Sequence, residues 1–173
     1  DHSAEIQGTK NSATLLTLKI KNQNEISSGN SNANESIENA VNAISGNNGK
    51  IYRTKGYVVG IFPPRNSDSG GMSAIKAASL IHNKLGDHNK RFVQKISYGI
   101  SVNEGDIISQ KENGKLLFTP LGAGLVNSKR IAEIANNEIL LSEESNKKLM
   151  SKVKTMPNAD KSGMKTYSIS KIL

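Results

Sequence analysis

Gly122-Ala-Gly-Leu-Val-Asn-Ser-Lys-Arg130, followed by Glu138-Ile-Leu-Leu-Ser142 and Glu143-Glu-Ser-Asn-Lys-Lys148, carries the clearest structural signal in the chain. A glycine turn opens a helix that carries Arg130, a short apolar strand follows, and Ser142 with two glutamates begins a second helix. Ser142 is the expected N-cap, and Glu143 and Glu144 suit the positive end of the helix macrodipole. The pair is therefore explained without catalysis.

Upstream, Ala13-Thr-Leu-Leu-Thr-Leu-Lys-Ile20 reads as a first strand bounded by the Lys21-Asn-Gln-Asn loop. Residues 27–34 hold only Ser, Gly, Asn and Ala and read as loop. Ile37, Val41 and Ile44 then fall at helical spacing up to Gly46-Asn-Asn-Gly. Lys50-Ile-Tyr-Arg-Thr and Tyr57-Val-Val-Gly-Ile-Phe flank Lys55-Gly56 as a hairpin that Pro63-Pro64 closes. A second helix is expected from Gly71 to Leu85, stopped by Gly86-Asp87. A fourth strand over residues 94–102 is expected to turn at Asn103-Glu-Gly-Asp. Ile107-Ile-Ser and Leu116-Leu-Phe-Thr then form another hairpin around Lys111-Glu-Asn-Gly. The order is α+β, a ferredoxin-like βαββαβ core with C-terminal additions. Residues 1–11 read as a tail or linker and residues 12–173 as one domain.

Composition narrows the function classes. With no cysteine, disulfides and thiolate metal sites are excluded, which suits a reducing, cytoplasmic setting. No apolar run approaches the roughly 20 residues of a membrane-spanning helix, and Asp1-His-Ser-Ala-Glu is not a signal peptide. The net charge of +8 favours phosphate-bearing partners, but lysines are spread from Lys10 to Lys171 and aromatics are only 4% of the chain. A solvated basic face is expected rather than a nucleic-acid groove. Gly122 to Lys129 lacks the Walker A spacing. His2, His82 and His88 form no metal or triad constellation and are expected to face solvent.

The order and spacing of these segments, joined by Tyr98-Gly-Ile-Ser-Val-Asn-Glu-Gly-Asp and Gly49-Lys-Ile-Tyr-Arg-Thr-Lys-Gly-Tyr-Val-Val-Gly, resemble the class III nucleotidyl cyclase homology domain over residues 13–170. That resemblance implies a head-to-tail pair of protomers with a nucleoside triphosphate in the cleft between them. Two aspartates on neighbouring strands would hold two divalent metals there, because an oxygen nucleophile meets a tetra-anionic triphosphate only against concentrated positive charge.

The matching residues here are Lys19 and Tyr57. Lysine has no acceptor, and a neutral phenol is a poor magnesium ligand. A Lys19 ammonium would either stand in for part of the metal charge or simply face solvent. The family's transition-state asparagine and arginine fall at Val126 and Arg130, on one helix face. Neighbouring Asn127 lies about a quarter-turn away. The base-selecting residues correspond to Arg53 and Thr119, and the triphosphate-reaching lysine of the closing segment to Lys161, with Lys165 next.

The resemblance therefore implies a catalytically inactive pseudo-enzyme acting as a regulatory or dimerisation module of a signalling protein. Its partner would be a second cyclase-type domain, with no cofactor; Mg or Mn would enter only under a different alignment. One alternative is a metal-independent purine nucleotide sensor using Arg53, Thr119, Arg130 and Lys161 toward ATP or GTP. Another is an active adenylate or guanylate cyclase.

Overall fold

The computed structural model describes residues 8–29, 32–65, 70–159 and 162–173. Among them the chain forms eight strands and five helices. β1 (Thr9–Ile20) is followed by the short α1 (Gln23–Ser27) and by α2 (Asn32–Gly46). The β2–β3 hairpin (Lys50–Thr54, Tyr57–Phe62), α3 (Gly71–Arg91), β4 (Tyr98–Glu112) and β5 (Lys115–Pro120) come next. α4 (Gly122–Ile134), β6 (Ile139–Ser142), α5 (Glu143–Lys148), β7 (Val153–Asn158) and β8 (Thr166–Ile172) complete the order. The strands make one sheet in the order β2-β3-β1-β4-β6-β8-β7, with β5 on β4. β4 and β6 are parallel and the other pairs antiparallel. The α+β reading with its ferredoxin-like core holds.

β1 is central, and the run from Ala13 to Leu18 is buried on both faces. Leu16, Leu18 and Ile20 pack against Ile37, Val41 and Ile44 of α2 and Ile75, Ile81 and Leu85 of α3. Ala13 and Leu15 point the other way, joining Val59, Ile61 and Ile107 beneath Leu125 of α4. Alternation along one strand thus places α2 and α3 on one side of the sheet and α4 on the other.

Several expectations are corrected, among them the fourth strand, which begins at Tyr98 rather than at residue 94. β1 begins at Thr9, so residues 9–11 are not tail but pair with Ser109, Ile108 and Ile107. Residues 27–34 are not simply loop, since Ser27 ends α1 and Asn32 opens α2. Asn103-Glu-Gly-Asp does not turn. The strand runs on because β1 supplies partners throughout, Asn103 facing Leu15 and Asp106 facing Ser12. Gly105 is small for a different reason: a Cβ there would stand 3.2 Å from the Cα of Gly124 on α4.

A further correction concerns the helix stop at Gly86-Asp87, which α3 passes to end at Arg91. Glycine weakens a helix by about 1 kcal/mol relative to alanine, and the buried Leu85 and His88 on either side outweigh it. His88, expected in solvent, is 3% exposed. Its ring stacks on Phe92 at 4.7 Å, Nδ1 lies 2.7 Å from Ser36 Oγ, and Nε2 lies 2.8 Å from the Gln94 carbonyl. A carbonyl only accepts, so Nε2 carries a proton and donates to it, while Nδ1 and the Ser36 hydroxyl share a second hydrogen bond. His82 is half-buried, with Nδ1 2.8 Å from the hydroxyl of the buried Tyr98. His2 lies outside the described residues. Replacing His88 with leucine is expected to cost about 2 kcal/mol, because it strands the Gln94 carbonyl and the Ser36 hydroxyl. Urea unfolding checks this, and a loss under 0.5 kcal/mol, the ordinary range of a surface substitution, would contradict it.

Candidate functional site

The β1–β3 register sets Lys19 directly opposite Tyr57. Gly56, with φ +84, turns the hairpin immediately before Tyr57, and a Cβ on it would come within 3.1 Å of Lys19 Nζ. The Lys19 ammonium sits 4.5 Å from the centroid of the Tyr57 ring, and Lys129 of α4 brings a second ammonium to 5.2 Å from that centroid. The Tyr57 hydroxyl donates to the Glu133 carboxylate on α4. Burial, this hydrogen bond and the Glu133 charge push the phenol up to about 12, so it stays protonated near neutral pH.

α4 is fixed to the sheet by its inner face. Ser128 is fully buried, 2.6 Å from Thr17 Oγ1, and its carbonyl accepts from Ser101 Oγ at 2.8 Å. Lys21 holds the far end, donating to the carbonyls of Glu133 at 2.9 Å and of Ala135, where a cation suits the negative end of the helix. Burial lowers the Lys21 pKa, against the opposing pull of Glu133 and Glu138. With this anchoring, Val126, Lys129, Arg130, Glu133 and Ile134 form an outward stripe lining an open cleft of about 440 Å³. Val126 and Arg130 do share a face, as their spacing implied.

Asn127 turns instead toward a polar cleft of about 480 Å³ shared with Asn103, Glu104, Glu143, Glu144 and Lys165. There Glu104, 8% exposed, accepts from Thr14 Oγ1 and Ser145 Oγ, each at 3.0 Å, and from Lys148 at 3.2 Å. Asn103 donates to the Gly124 carbonyl at 2.9 Å. Ser142 caps α5 as expected, accepting from the Ser145 amide at 3.1 Å.

Arg53 lines a third cleft of about 290 Å³ with Lys19 and Tyr57, and its guanidinium is paired with Glu38 of α2 at 3.0 Å. Thr119 is exposed on β5 opposite Ile108. Lys161 lies outside the described residues, and Lys165 stands 3.8 Å from Glu143. The structure thus gathers Lys19, Tyr57 and Arg53 at one cleft and Val126 and Arg130 at another, with Thr119 on the hairpin arm. Sequence reasoning missed Lys129 and Glu133. The signal was present, because 126, 129, 130, 133 and 134 follow the i, i+3, i+4, i+7, i+8 pattern of one helix face.

No protein-family model and no curated protein sequence matches this chain. Solved structures do. The non-canonical dimeric guanylyl cyclase domain of the RhoGC fusion protein from the aquatic fungus Blastocladiella emersonii superposes with a TM-score of 0.74 at 19% identity, covering 96% of this chain and 98% of that one. The chain has the class III nucleotidyl cyclase fold. The guanylate cyclase domain of RhGC from Catenaria anguillulae, solved in complex with GTP, matches this chain with a TM-score of 0.74 at 18% identity, over 95% and 100% of the two chains. The adenylyl cyclase CyaB from P. aeruginosa matches with a TM-score of 0.74 at 13% identity, over 96% and 97%.

The resemblance would put metal-holding carboxylates at Lys19 and Tyr57. The side chains there are an ammonium and a protonated phenol in contact with one another, neither of which suits a divalent cation. Among the described residues no group of three or more His, Cys, Asp or Glu side chains is arranged to hold a metal ion. No described helix is long and apolar enough to cross a membrane.

Proposed function

We propose that this cyclase-type domain is catalytically silent and serves a signalling protein as a regulatory and dimerisation module, operating in the cytoplasm. The observation that carries the reading is the Lys19–Tyr57 stack at the place of the metal carboxylates. A cation there opposes a second cation, so the charge that would activate a ribose hydroxyl has no ligands. Val126, 60% exposed at the place of the transition-state asparagine, offers no donor. A partner of the same fold fits the proposal, since the outward stripe of α4 and the exposed Leu116 and Leu117 of β5 leave apolar surface uncovered.

The test is an assay of the purified domain with ATP and with GTP, each with magnesium or manganese, read for cyclic nucleotide by mass spectrometry. No product above the enzyme-free control is expected in any condition. Metal-dependent product would overturn the silent reading and the alignment of Lys19, Tyr57 and Val126 with it. Sedimentation across a concentration series checks the dimerisation part, and a monomer throughout, alone and with other cyclase-type domains, would remove it. The metal-independent nucleotide sensor stands as the second reading, favoured by the two ammonium groups at Tyr57.

A further inference from the structure

We propose that the cleft between α4, α5 and residues 163–165 is a site for a small aliphatic diamine or polyamine, with one ammonium group held at Asn103 and a second at Glu143 and Glu144. The inference stands apart from the question of catalysis, because Lys19, Tyr57, Val126 and Arg130 all line other clefts.

The deciding atom is Asn103 Oδ1. Asn103 is 2% exposed on β4 and lines this cleft of about 480 Å³, a size within the range of about 300–1,000 Å³ that small-molecule sites occupy. Its Nδ2 donates to the Gly124 carbonyl at 2.9 Å and to the Glu104 carbonyl at 3.4 Å. Turning the amide over would set its oxygen against two acceptors, so the orientation is fixed. Oδ1 therefore faces away from the α4 backbone, and among the described residues no donor reaches it. A buried acceptor without a donor is costly, and a ligand that donates a hydrogen bond recovers that cost.

The charge of the cleft points to the same class of ligand. The chain carries +8 overall, yet three carboxylates and one lysine line this cleft. Glu104 is answered by Lys148 at 3.2 Å, with Thr14 and Ser145 also donating to it. Lys165 is the remaining cation of the lining, 73% exposed and 3.8 Å from Glu143. An exposed pair of this kind is weak and exchanges readily for another cation. Glu144 has no ion-pair partner among the described residues. Ile131 and Met164 line the same cleft and belong to one apolar cluster, so the methylenes between two ammonium groups have apolar surface to cover. A metal ion suits the cleft less well, because it brings no hydrogen-bond donor to Oδ1 and the acids are not arranged to coordinate it.

Isothermal titration of the full chain would use putrescine, spermidine, butylamine and magnesium chloride as probes. Saturable binding of putrescine and spermidine, weakened by salt, is expected. Butylamine, with one ammonium group, should bind about tenfold more weakly, the usual worth of a hydrogen bond to a charged group. Glu143→Gln with Glu144→Gln, and separately Asn103→Ala, should each weaken putrescine binding by about the same factor, and thermal melts report whether each variant folds. Lys165→Gln, which removes the competing cation, should tighten binding severalfold. Lys154→Gln, which removes the same charge from an exposed position on β7, should change it less than about twofold, because distant surface charges are screened. In the unaltered protein, the side-chain amide signal of Asn103 in a nitrogen-15 NMR spectrum should shift on saturation with putrescine. Absence of saturable diamine binding, butylamine as tight as putrescine, magnesium displacing putrescine at lower concentration, an unmoved Asn103 signal, or equal gains from Lys165→Gln and Lys154→Gln would overturn the site. None of these readouts involves a nucleotide, so this proposal and the silent reading fail separately.

Discussion

Replacing Gly99 with alanine is expected to lower the stability of the domain by about 3 kcal/mol, near the upper end for overpacking in a close-packed interior. A Cβ at residue 99 would stand 1.9 Å from the carbonyl oxygen of Ala132 and 2.7 Å from that of Ala135. Both are backbone atoms, so no side chain can rotate away. α4 would have to lift from β4, loosening the small core of Ile131, Ala135 and Leu140 beneath it. Urea unfolding by circular dichroism measures the effect. A loss under 1 kcal/mol would mean that α4 is not seated against β4 at this distance.

Leu16→Ala should cost about 2–5 kcal/mol through the cavity it leaves. Leu16 is fully buried in the middle of the central strand, opposite Gly60 of β3 and Val102 of β4. Glycine on one side offers no side chain to collapse into the space, which favours the upper part of that range. The matched control is Leu116→Ala on β5, where the side chain is 50% exposed. That change should stay within about 0.5 kcal/mol. Similar losses in both variants would contradict the placement of the main core between the sheet and the α2–α3 layer.

These contrasts show why some of the fold could be read in advance. The buried run at Ala13–Leu18, the hairpin around Lys55-Gly56, the turn at Asn113-Gly114 and the Ser142 cap rest on local rules: strand burial, turn residues and capping. Each rule acts within a few residues, so each is visible in a short window of sequence. The reading failed where a partner distant in the chain overrode a local signal. Gly86 looked like a helix end, yet Leu85 and His88 continue the helix because the α2 face waits for them. Glu104-Gly105 looked like a turn, yet β1 pairs with it and α4 presses on it. In both cases long-range burial outweighs a local preference of about 1 kcal/mol.

The candidate site divides in the same way. Lysine at residue 19, tyrosine at 57 and valine at 126 are facts of the sequence, and the proposal of a silent domain starts from their side-chain chemistry at the places the resemblance gives them. The polar positions proposed for a nucleotide were less legible. Arg53 is engaged by Glu38, which lies 15 residues earlier on another element, and Thr119 sits on the exposed hairpin arm.

Residue identity and periodicity along the chain were enough for β1, α2, the β2–β3 hairpin, α3, α4, β6 and α5, for the α+β class, and for the lysine and tyrosine at residues 19 and 57. The meeting of Lys19 and Lys129, 110 residues apart, over one tyrosine ring, and the Glu133 carboxylate that holds its hydroxyl, came from the folded arrangement. That meeting depends on the β1–β3 register and on the depth at which Ser128, Gly99 and Gly124 let α4 settle on the sheet. Register and packing depth are set by close contacts between segments remote in sequence, and the charge pattern of the site is created by those contacts.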